Sequence, residues 1–265
     1  MTQPFYQVDA FTDRLFGGNP AGVVPLFGWP SDEILRSVAA ENNLSETAFF
    51  VLQSDRCCIR WFMPRVEVNL CGHATLAAAH VLFHHLGFPG DEIVFDSRSG
   101  ILRARRDDAF ISLDFPADPP VPATPPKKLI QSLGREPREA YMGQEDWLLV
   151  YSSRREIEEL APDFDLMLVE TGDSGRGVIV TAPGGDVDFV SRFFAPSVGV
   201  PEDPVTGSAH TTLTPYWAQR LEKESFTARQ VSRRGGFLKC RLSGDRVHIS
   251  GQAVTYLTGE IRLSS

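Results

Sequence analysis

Residues 69–80 read NLCGHATLAAAH, a polar turn that runs directly into an alanine-rich segment. The longer stretch 73–87, HATLAAAHVLFHHLG, is apolar on nearly every side. A helix that is apolar all round has to be buried all round. This stretch therefore predicts a central helix wrapped by strands, with its C-cap at Gly87 because glycine is the usual residue type there.

Strand patterns occur on both sides of this helix in the sequence. Runs of β-branched and aromatic residues alternate with Gly, Pro, Asn and Asp, which is typical of strands joined by turns. The predicted strands of the first half are residues 5–11, 21–27, 46–52, 57–63 and 100–106. Those of the second half are residues 146–152, 164–170, 177–183 and 188–194. Two further helices are predicted, at 31–43 with Ser31 as N-cap and at 208–221.

A proline-rich segment divides the chain. Residues 114–128, DFPADPPVPATPPKK, contain six prolines among fifteen residues. Proline is excluded from helix interiors and central strands, so this segment predicts an extended linker. The predicted domains are residues 1–117 and 118–250, and a C-terminal strand at 251–265 is expected to return to the first domain.

The two halves resemble each other. RWFMPRV at 60–66 matches RFFAPSV at 192–198 with an offset of 132 residues, and Gly72 then matches Gly207 with an offset of 135. Each glycine leads into an apolar helix. The predicted fold class is therefore α+β, with two pseudo-symmetric domains, each a barrel-like mixed β-sheet around one central helix.

The starts of the two central helices are candidate binding positions. A helix N-terminus carries unpaired N–H groups and a partial positive charge, which together attract anions. Glycine lets a ligand approach the backbone closely, and Gly72 and Gly207 are followed by His73 and Ser208. Two such termini converging on one interdomain cleft would bind a small carboxylate, with side chains on both of its faces.

Composition narrows the class of protein. The 265-residue chain is 42% hydrophobic and 23% charged, as globular domains usually are. Its formal net charge is -8 and it has no polybasic run, so neither nucleic acid nor a membrane is an expected partner. The N-terminal residues lack a signal-peptide pattern, and the four cysteines form no C-x-x-C pair, which indicates reduced thiols and a cytoplasmic location.

Neither a cofactor nor a metal is expected. No G-x-G-x-x-G motif follows a predicted strand, so a dinucleotide site is not indicated. His80 and His84 have the spacing of metal ligands on one helix face, but an H-E-x-x-H motif and an apparent third ligand are both missing.

Four segments resemble the phenazine-biosynthesis isomerase-like proteins, which share the diaminopimelate epimerase fold. They are VDAFTDRLFGGNPAGVV at 8–24, NNLSETAFF at 42–50, NLCGHATLAAA at 69–79 and EDPVTGSAH at 202–210. The resemblance implies a homodimer and a site in the cleft between two domains. It also implies a cofactor-independent isomerase that moves a proton between carbons of a small unsaturated amino or hydroxy carboxylic acid.

The resemblance also assigns roles to individual residues. Glu46 matches the catalytic acid/base, and this chemistry requires a carboxyl group whose pKa is raised towards neutrality. Glu46 precedes an apolar run, which is consistent with partial burial. His73 and Asp203 are expected to form an ion pair across the cleft. The expected assisting catalytic residues are His73, Asp203 and Ser208, and the expected substrate-binding residues are Gly72 and Gly207. Residues 17–22, GGNPAG, are typical of a turn, and Asn19 within them is a further expected substrate-binding residue at the border of the site.

Two other functions remain open. A non-catalytic binding or interaction protein could keep the same scaffold, and it would not need an ionisable group at position 46. A cysteine-dependent racemase or epimerase would need two thiols, one from each half. Cys71 occupies the first position but Thr206 occupies the second, and a threonine hydroxyl is too weak an acid to replace a thiol near neutral pH. Cys71 is accordingly interpreted as a small buried residue.

Overall fold

The computed structural model describes residues 2–53, 56–171 and 177–263. The chain divides into two compact units, one formed by Met1–Asp114 with Ser250–Ser265 and the other by Phe115–Ile249. Each unit combines a mixed sheet with a few helices, so the predicted α+β class is confirmed.

The first unit contains all five strands and both helices predicted for the first half. Its strands are β1 Thr2–Ala10, β2 Asn19–Leu26, β3 Glu46–Gln53, β4 Arg56–Phe62, β5 Glu67–Val68, β6 Glu92–Ser97, β7 Gly100–Asp107, β8 Phe110–Pro116, which ends just past the boundary, and β18 Ala253–Arg262. Its helices are α1 Asp32–Asn42 and α2 Gly72–His84. Strand β18 pairs with β1 over the whole length of β1, and residues 264 and 265 of the predicted returning segment lie outside the described residues.

The second unit has the same kinds of element. Its strands are β9 Val121–Pro122, β10 Glu139–Met142, β11 Asp146–Val150, β12 Gly177–Pro183, β13 Phe189–Ala195, β14 Val200–Asp203, β15 Ser225–Gln230, β16 Gly236–Ser243 and β17 Arg246–Gly251, whose last two residues belong to the first unit. Its helices are α3 Lys127–Leu133, α4 Arg154–Glu158, α5 Phe164–Thr171 and α6 Gly207–Leu221, with a short 3₁₀ helix at Pro196–Val198.

Strand pairing confirms the internal repeat. Strand β3 is parallel to β2 and antiparallel to β4, and β12 is likewise parallel to β11 and antiparallel to β13. Strand β4 then runs parallel to β6 as β13 runs parallel to β15. The matched arginines make matched contacts. Arg60 donates two hydrogen bonds of 2.7 Å to Glu67, and Arg192 donates bonds of 2.7 and 3.0 Å to Glu202.

The central helix α2 is buried as predicted. Its residues from His73 to Ala79 are all buried, and it packs against β1, β2, β3, β7 and β18. Gly251 permits a close approach, because a Cβ atom there would lie 2.3 Å from Phe11 Cδ1 and 3.1 Å from Leu76 Cδ1. In the second unit, α6 contacts β11 and β16 in a comparable position.

The predicted strand at 164–170 is wrong, because this segment forms α5. The Leu166 N–H donates to Asp163 Oδ1 at 3.0 Å, and the Met167 N–H donates to the Asp163 carbonyl at 2.9 Å. Asp163 thus caps the first turn, which favours a helix. Met167 is buried whereas Val169 is 64% exposed, so the segment covers the core with one face only.

Two predicted boundaries also need correction. Helix α2 ends at His84, where the N–H of the C-cap His85 donates to the Val81 carbonyl, and Gly87 adopts its positive φ of 62° two residues later. Within the predicted linker, residues 121–122 form β9 and are extended, but α3 begins at Lys127, so the last two residues of the predicted linker are helical. No helix among the described residues combines the length and the apolar character that a membrane crossing requires.

Candidate functional site

The first residue of β3 is Glu46, the predicted acid/base. It lies beside Ala21 in the parallel register of β2 and β3. The strand after it is buried from Thr47 to Val51, whereas the Glu46 side chain retains 15% of its exposure. The carboxyl group therefore lies at the end of a buried strand, in a largely desolvated position.

The start of α2 supplies the next two groups. Cys71 is the N-cap residue, with extended backbone angles (φ -147°, ψ 109°), and its side chain makes no capping hydrogen bond. Its carbonyl accepts the Thr75 N–H at 3.1 Å, so the helix is in place from its first turn. An N-terminus without a side-chain cap keeps N–H groups available for an anion.

His73 connects these elements through both of its ring nitrogens. Its Nδ1 lies 3.2 Å from Asn19 Nδ2 and 3.5 Å from Cys71 Sγ. Its Nε2 lies 3.3 Å from Glu46 Oε2. Asn19 is the first residue of β2 and is fully buried, while His73 is 5% exposed. The imidazole therefore lies between the β2–α2 side of the site and the Glu46 carboxyl group.

Burial sets the protonation state of His73. It lowers the pKa of this imidazole to about 3, so the ring is neutral at pH 7 and carries one proton. The Asn19 amide donates to Nδ1, which leaves the proton on Nε2, facing Glu46. The predicted ion pair with Asp203 needs a charged imidazole, and this environment disfavours that charge.

Among the described residues, Glu46, Cys71 and His73 form a group whose potential metal-ligand atoms lie close together. One ligand atom each from Glu46, Cys71 and His73 lies within 4.8 Å of the others. The short contacts use opposite nitrogens of one ring, Nδ1 towards Cys71 and Nε2 towards Glu46. These three residues have the types and the spacing of metal ligands, so the absence of a metal stays a prediction.

The second unit presents its predicted residues around the start of α6. Asp203 ends β14, and Thr206 is the N-cap of α6, again without a side-chain cap for the helix. The Thr206 hydroxyl donates to Asp203 Oδ2 at 2.5 Å. Gly207 is buried and Ser208 half-buried in the first turn of α6. Cys71 and Thr206 are thus equivalent N-cap residues of the two central helices.

Gln230 is a residue of this region that the sequence analysis missed. Its Oε1 accepts the Thr206 N–H at 2.9 Å, and its Nε2 donates to the Asp203 carbonyl at 2.7 Å. It holds the turn between β14 and α6 from the end of β15. No local pattern marks it, because its partners lie more than twenty residues away along the chain.

The structure groups the predicted residues within each unit. In the first unit it brings Asn19, Glu46 and His73 into contact, next to Gly72 at the start of α2. In the second unit it places Asp203, Gly207 and Ser208 around the start of α6. The contribution of both sets to one substrate site stays a prediction.

The histidines at the C-terminal end of α2 make contacts that stabilise the fold. His80 Nε2 and His85 Nε2 lie 3.0 and 2.7 Å from the Thr255 hydroxyl. The His80 and His84 rings are 4.6 Å apart, centroid to centroid. Burial, with a smaller contribution from the neighbouring histidines, lowers the pKa of His80 to about 4. These residues tie α2 to β18.

Two copies of one mixed sheet, each with a helix whose N-terminus carries the candidate residues, define an epimerase-type α+β fold. A family profile described as phenazine biosynthesis-like protein matches residues 8–259. The chain is 52% identical to an uncharacterized isomerase of Pseudomonas aeruginosa, with 100% of both chains covered. It is 41% identical to phenazine biosynthesis-like domain-containing protein 1 of Mus musculus, over 98% of this chain and 99% of that one. The chain belongs to the phenazine biosynthesis-like family.

Solved structures agree with this assignment. The crystal structure of a phenazine biosynthesis protein of the PhzF family from Enterococcus faecalis has a TM-score of 0.96 and 42% identity, covering 99% of this chain and 100% of that one. A hydroxyproline epimerase from Agrobacterium vitis, 11% identical with a TM-score of 0.62, covers 98% of this chain and 92% of its own, and shares the fold alone. Family and fold together support an isomerase-type function.

Proposed function

We propose that this protein is a cofactor-independent isomerase that moves a proton between carbons of a small unsaturated amino or hydroxy carboxylic acid, with Glu46 as the general acid/base. The observation that carries the proposal is the contact of 3.3 Å between Glu46 Oε2 and Nε2 of the buried, neutral His73. A solvated surface glutamate would have no such partner. The isomerase names among relatives support the same reaction class.

The Glu46 carboxyl group lies next to a neutral imidazole, with Oε2 3.3 Å from His73 Nε2, so this contact is not a full ion pair. The carboxyl group would take a proton from one substrate carbon and return it to another.

Substrate binding is assigned to the two helix starts. The backbone N–H groups at Gly72 and Gly207 would receive the substrate carboxylate, with Asn19, Asp203 and Ser208 as further polar groups. As the resemblance implies, we also propose a cytoplasmic homodimer, for which light scattering after gel filtration measures the mass.

The test is deuterium incorporation in D2O across a panel of small unsaturated, amino and hydroxy carboxylates. The parent protein should label at least one of these compounds. Glu46→Gln, which keeps the size and the polarity of the side chain, should reduce labelling by about 100-fold or more, the range for a general acid/base, while ligand affinity changes little. Glu41→Gln is the matched control, because Glu41 is an exposed residue of α1 and should label at the parental rate.

Three outcomes are informative. Labelling by Glu46→Gln at the parental rate would rule out Glu46 as the base. Binding of a carboxylate without labelling by the parent would favour the alternative of a non-catalytic binding protein. Loss of labelling in Cys71→Ser would favour a thiol-dependent racemase, whereas the proposed mechanism expects that variant to remain active.

A further inference from the structure

His210 is fully buried near the start of α6, and the proposed isomerisation gives it no role. Burial lowers the pKa of its imidazole to about 4, against the opposing effect of its contact with the Thr206 carbonyl, so the ring is neutral at pH 7 and carries one proton. Its Nδ1 lies 2.8 Å from that carbonyl oxygen, which can only accept, so the proton is on Nδ1. His210 therefore donates a hydrogen bond to the carbonyl of the N-cap residue of α6.

The first central helix makes the same bond at the matching position. Thr75 follows the N-cap residue Cys71 by four residues, as His210 follows Thr206. The Thr75 hydroxyl donates to the Cys71 carbonyl at 2.5 Å. Two different residue types thus hold the N-cap carbonyl in the two copies of the fold, which indicates that the bond matters more than the shape of the side chain that makes it.

The N-cap residue that His210 holds is itself bonded to Asp203. The Thr206 hydroxyl donates to Asp203 Oδ2 at 2.5 Å. The Thr206 N–H donates to Gln230 Oε1 at 2.9 Å, so the Thr206 backbone is bonded at both its N–H and its carbonyl. Because this backbone is fixed at both ends, the direction of the Thr206 hydroxyl is fixed, and with it the orientation of the Asp203 carboxylate.

We propose that His210 is a positioning residue: its bond to the Thr206 carbonyl fixes the N-cap of α6 and thereby orients the Asp203 carboxylate for the reaction. His210 is fully buried, so it acts through Thr206 and not on a substrate atom. The catalytic consequence rests on the proposed function, in which Asp203 assists. The effect on the turn from Asp203 to Thr206 does not depend on which reaction the protein catalyses.

Three variants separate the bond from the packing of the side chain. His210→Leu and His210→Met keep most of the side-chain volume but cannot donate to the Thr206 carbonyl. They also remove Nε2, a buried acceptor that makes no hydrogen bond with any residue that the structure describes, and this removal offsets the stability lost with the bond. His210→Thr restores the donor with the residue type of the matching position, but it leaves a cavity because threonine is smaller.

The first measurement is hydrogen exchange of the Thr206 N–H, followed by NMR without any ligand. In His210→Leu this N–H should exchange about tenfold faster, because local opening of the turn governs its exchange. In His210→Thr it should exchange at the parental rate, although the cavity lowers the unfolding midpoint. Thr214→Val is the matched control. It removes a hydroxyl that donates to the His210 carbonyl at 2.6 Å, a bond of the same kind one turn further along α6, and it should leave the exchange of Thr206 unchanged.

The second measurement is deuterium labelling of the compound that the parent protein labels. His210→Leu should label it roughly tenfold more slowly with little change in affinity, because a misdirected Asp203 disturbs the reacting geometry more than binding. His210→Thr should label it near the parental rate. A threonine variant that labels more slowly than the leucine variant would show that activity follows packing rather than the bond, and would overturn the proposal.

The two measurements separate this inference from the proposed function. Unchanged exchange of the Thr206 N–H in a folded His210→Leu protein overturns the positioning role, and His210→Met replaces the leucine variant if that variant does not fold. Faster exchange with labelling at the parental rate overturns the link to catalysis. A parent protein that labels none of the compounds contradicts the proposed function, and the exchange of Thr206 then still decides whether His210 fixes the turn.

Discussion

Replacement of Arg192 by methionine tests the contact that positions the strand leading to α6. The Arg192 side chain is 10% exposed and donates two hydrogen bonds to Glu202, next to Asp203. Its Nη1 also donates to the carbonyls of Ile157 and Leu160, at 2.9 and 2.8 Å. Methionine fills much of the same volume but leaves a carboxylate and two carbonyls without these donors.

The expected loss in the free energy of unfolding follows from the four hydrogen bonds that Arg192 donates. Breaking a buried ion pair by removing one partner costs about 3–5 kcal/mol, and the two carbonyls at the end of α4 add to that unless water reaches them. The internal repeat offers a matched control in Arg60→Met. Arg60 pairs with Glu67 and Asp32, and Glu67 keeps Arg98 as a second partner at 2.6 Å. We expect this control to lose about 1–2 kcal/mol in free energy of unfolding, because Glu67 keeps a charged partner and Asp32 is half exposed.

Urea unfolding followed by circular dichroism measures the free energy of unfolding of both variants. Hydrogen exchange with mass spectrometry then locates the loss in the first or the second unit, since each arginine bonds within its own unit. Arg192→Met should weaken protection in β13 and β14 in particular. Equal losses for the two variants, or a loss below about 1 kcal/mol for Arg192→Met, would refute the assigned role of the two carbonyls.

Two further perturbations test burial and close packing. Burial lowers the pKa of His73 to about 3 and the pKa values of His80 and His210 to about 4, and it also lowers the pKa of His85. Below pH ~6.5 the unfolded chain therefore binds more protons than the folded protein. The free energy of unfolding should fall as the pH drops from ~6.5 to about 4, by up to ~1.4 kcal/mol per pH unit for each histidine. A urea midpoint that does not change between pH 7 and pH 5 would contradict this. Gly251→Ala should lose about 1–3 kcal/mol because its Cβ would lie 2.3 Å from a phenylalanine ring, whereas Gly28→Ala, with no neighbour within 4 Å, should unfold like the parent.

Much of the fold followed from patterns confined to short stretches of chain. The apolar segment that became α2 had to be buried whatever surrounded it, and alternating runs bounded by turn residues predicted eight of the eighteen strands that the structure describes. The repeat of RWFMPRV at 60–66 and RFFAPSV at 192–198 predicted two copies of one sheet, which the strand pairing confirms. Motif resemblance identifies Glu46 and His73 as candidate residues, and the structure places the two side chains in contact.

Other features depend on residues that are distant in sequence, and local patterns carry no information about them. Segment 164–170 reads as a strand from its apolar residues, and although the Asp163 cap is a local signal for a helix, the one-sided burial of the segment is set by packing against distant residues. The neutral state of His73 follows from burial and from the Asn19 donor fifty-four residues away. Residue types limit which chemistry is possible, but the protonation state and the hydrogen-bond partner of each group are set by packing, because desolvation and contact geometry exist only in the folded chain.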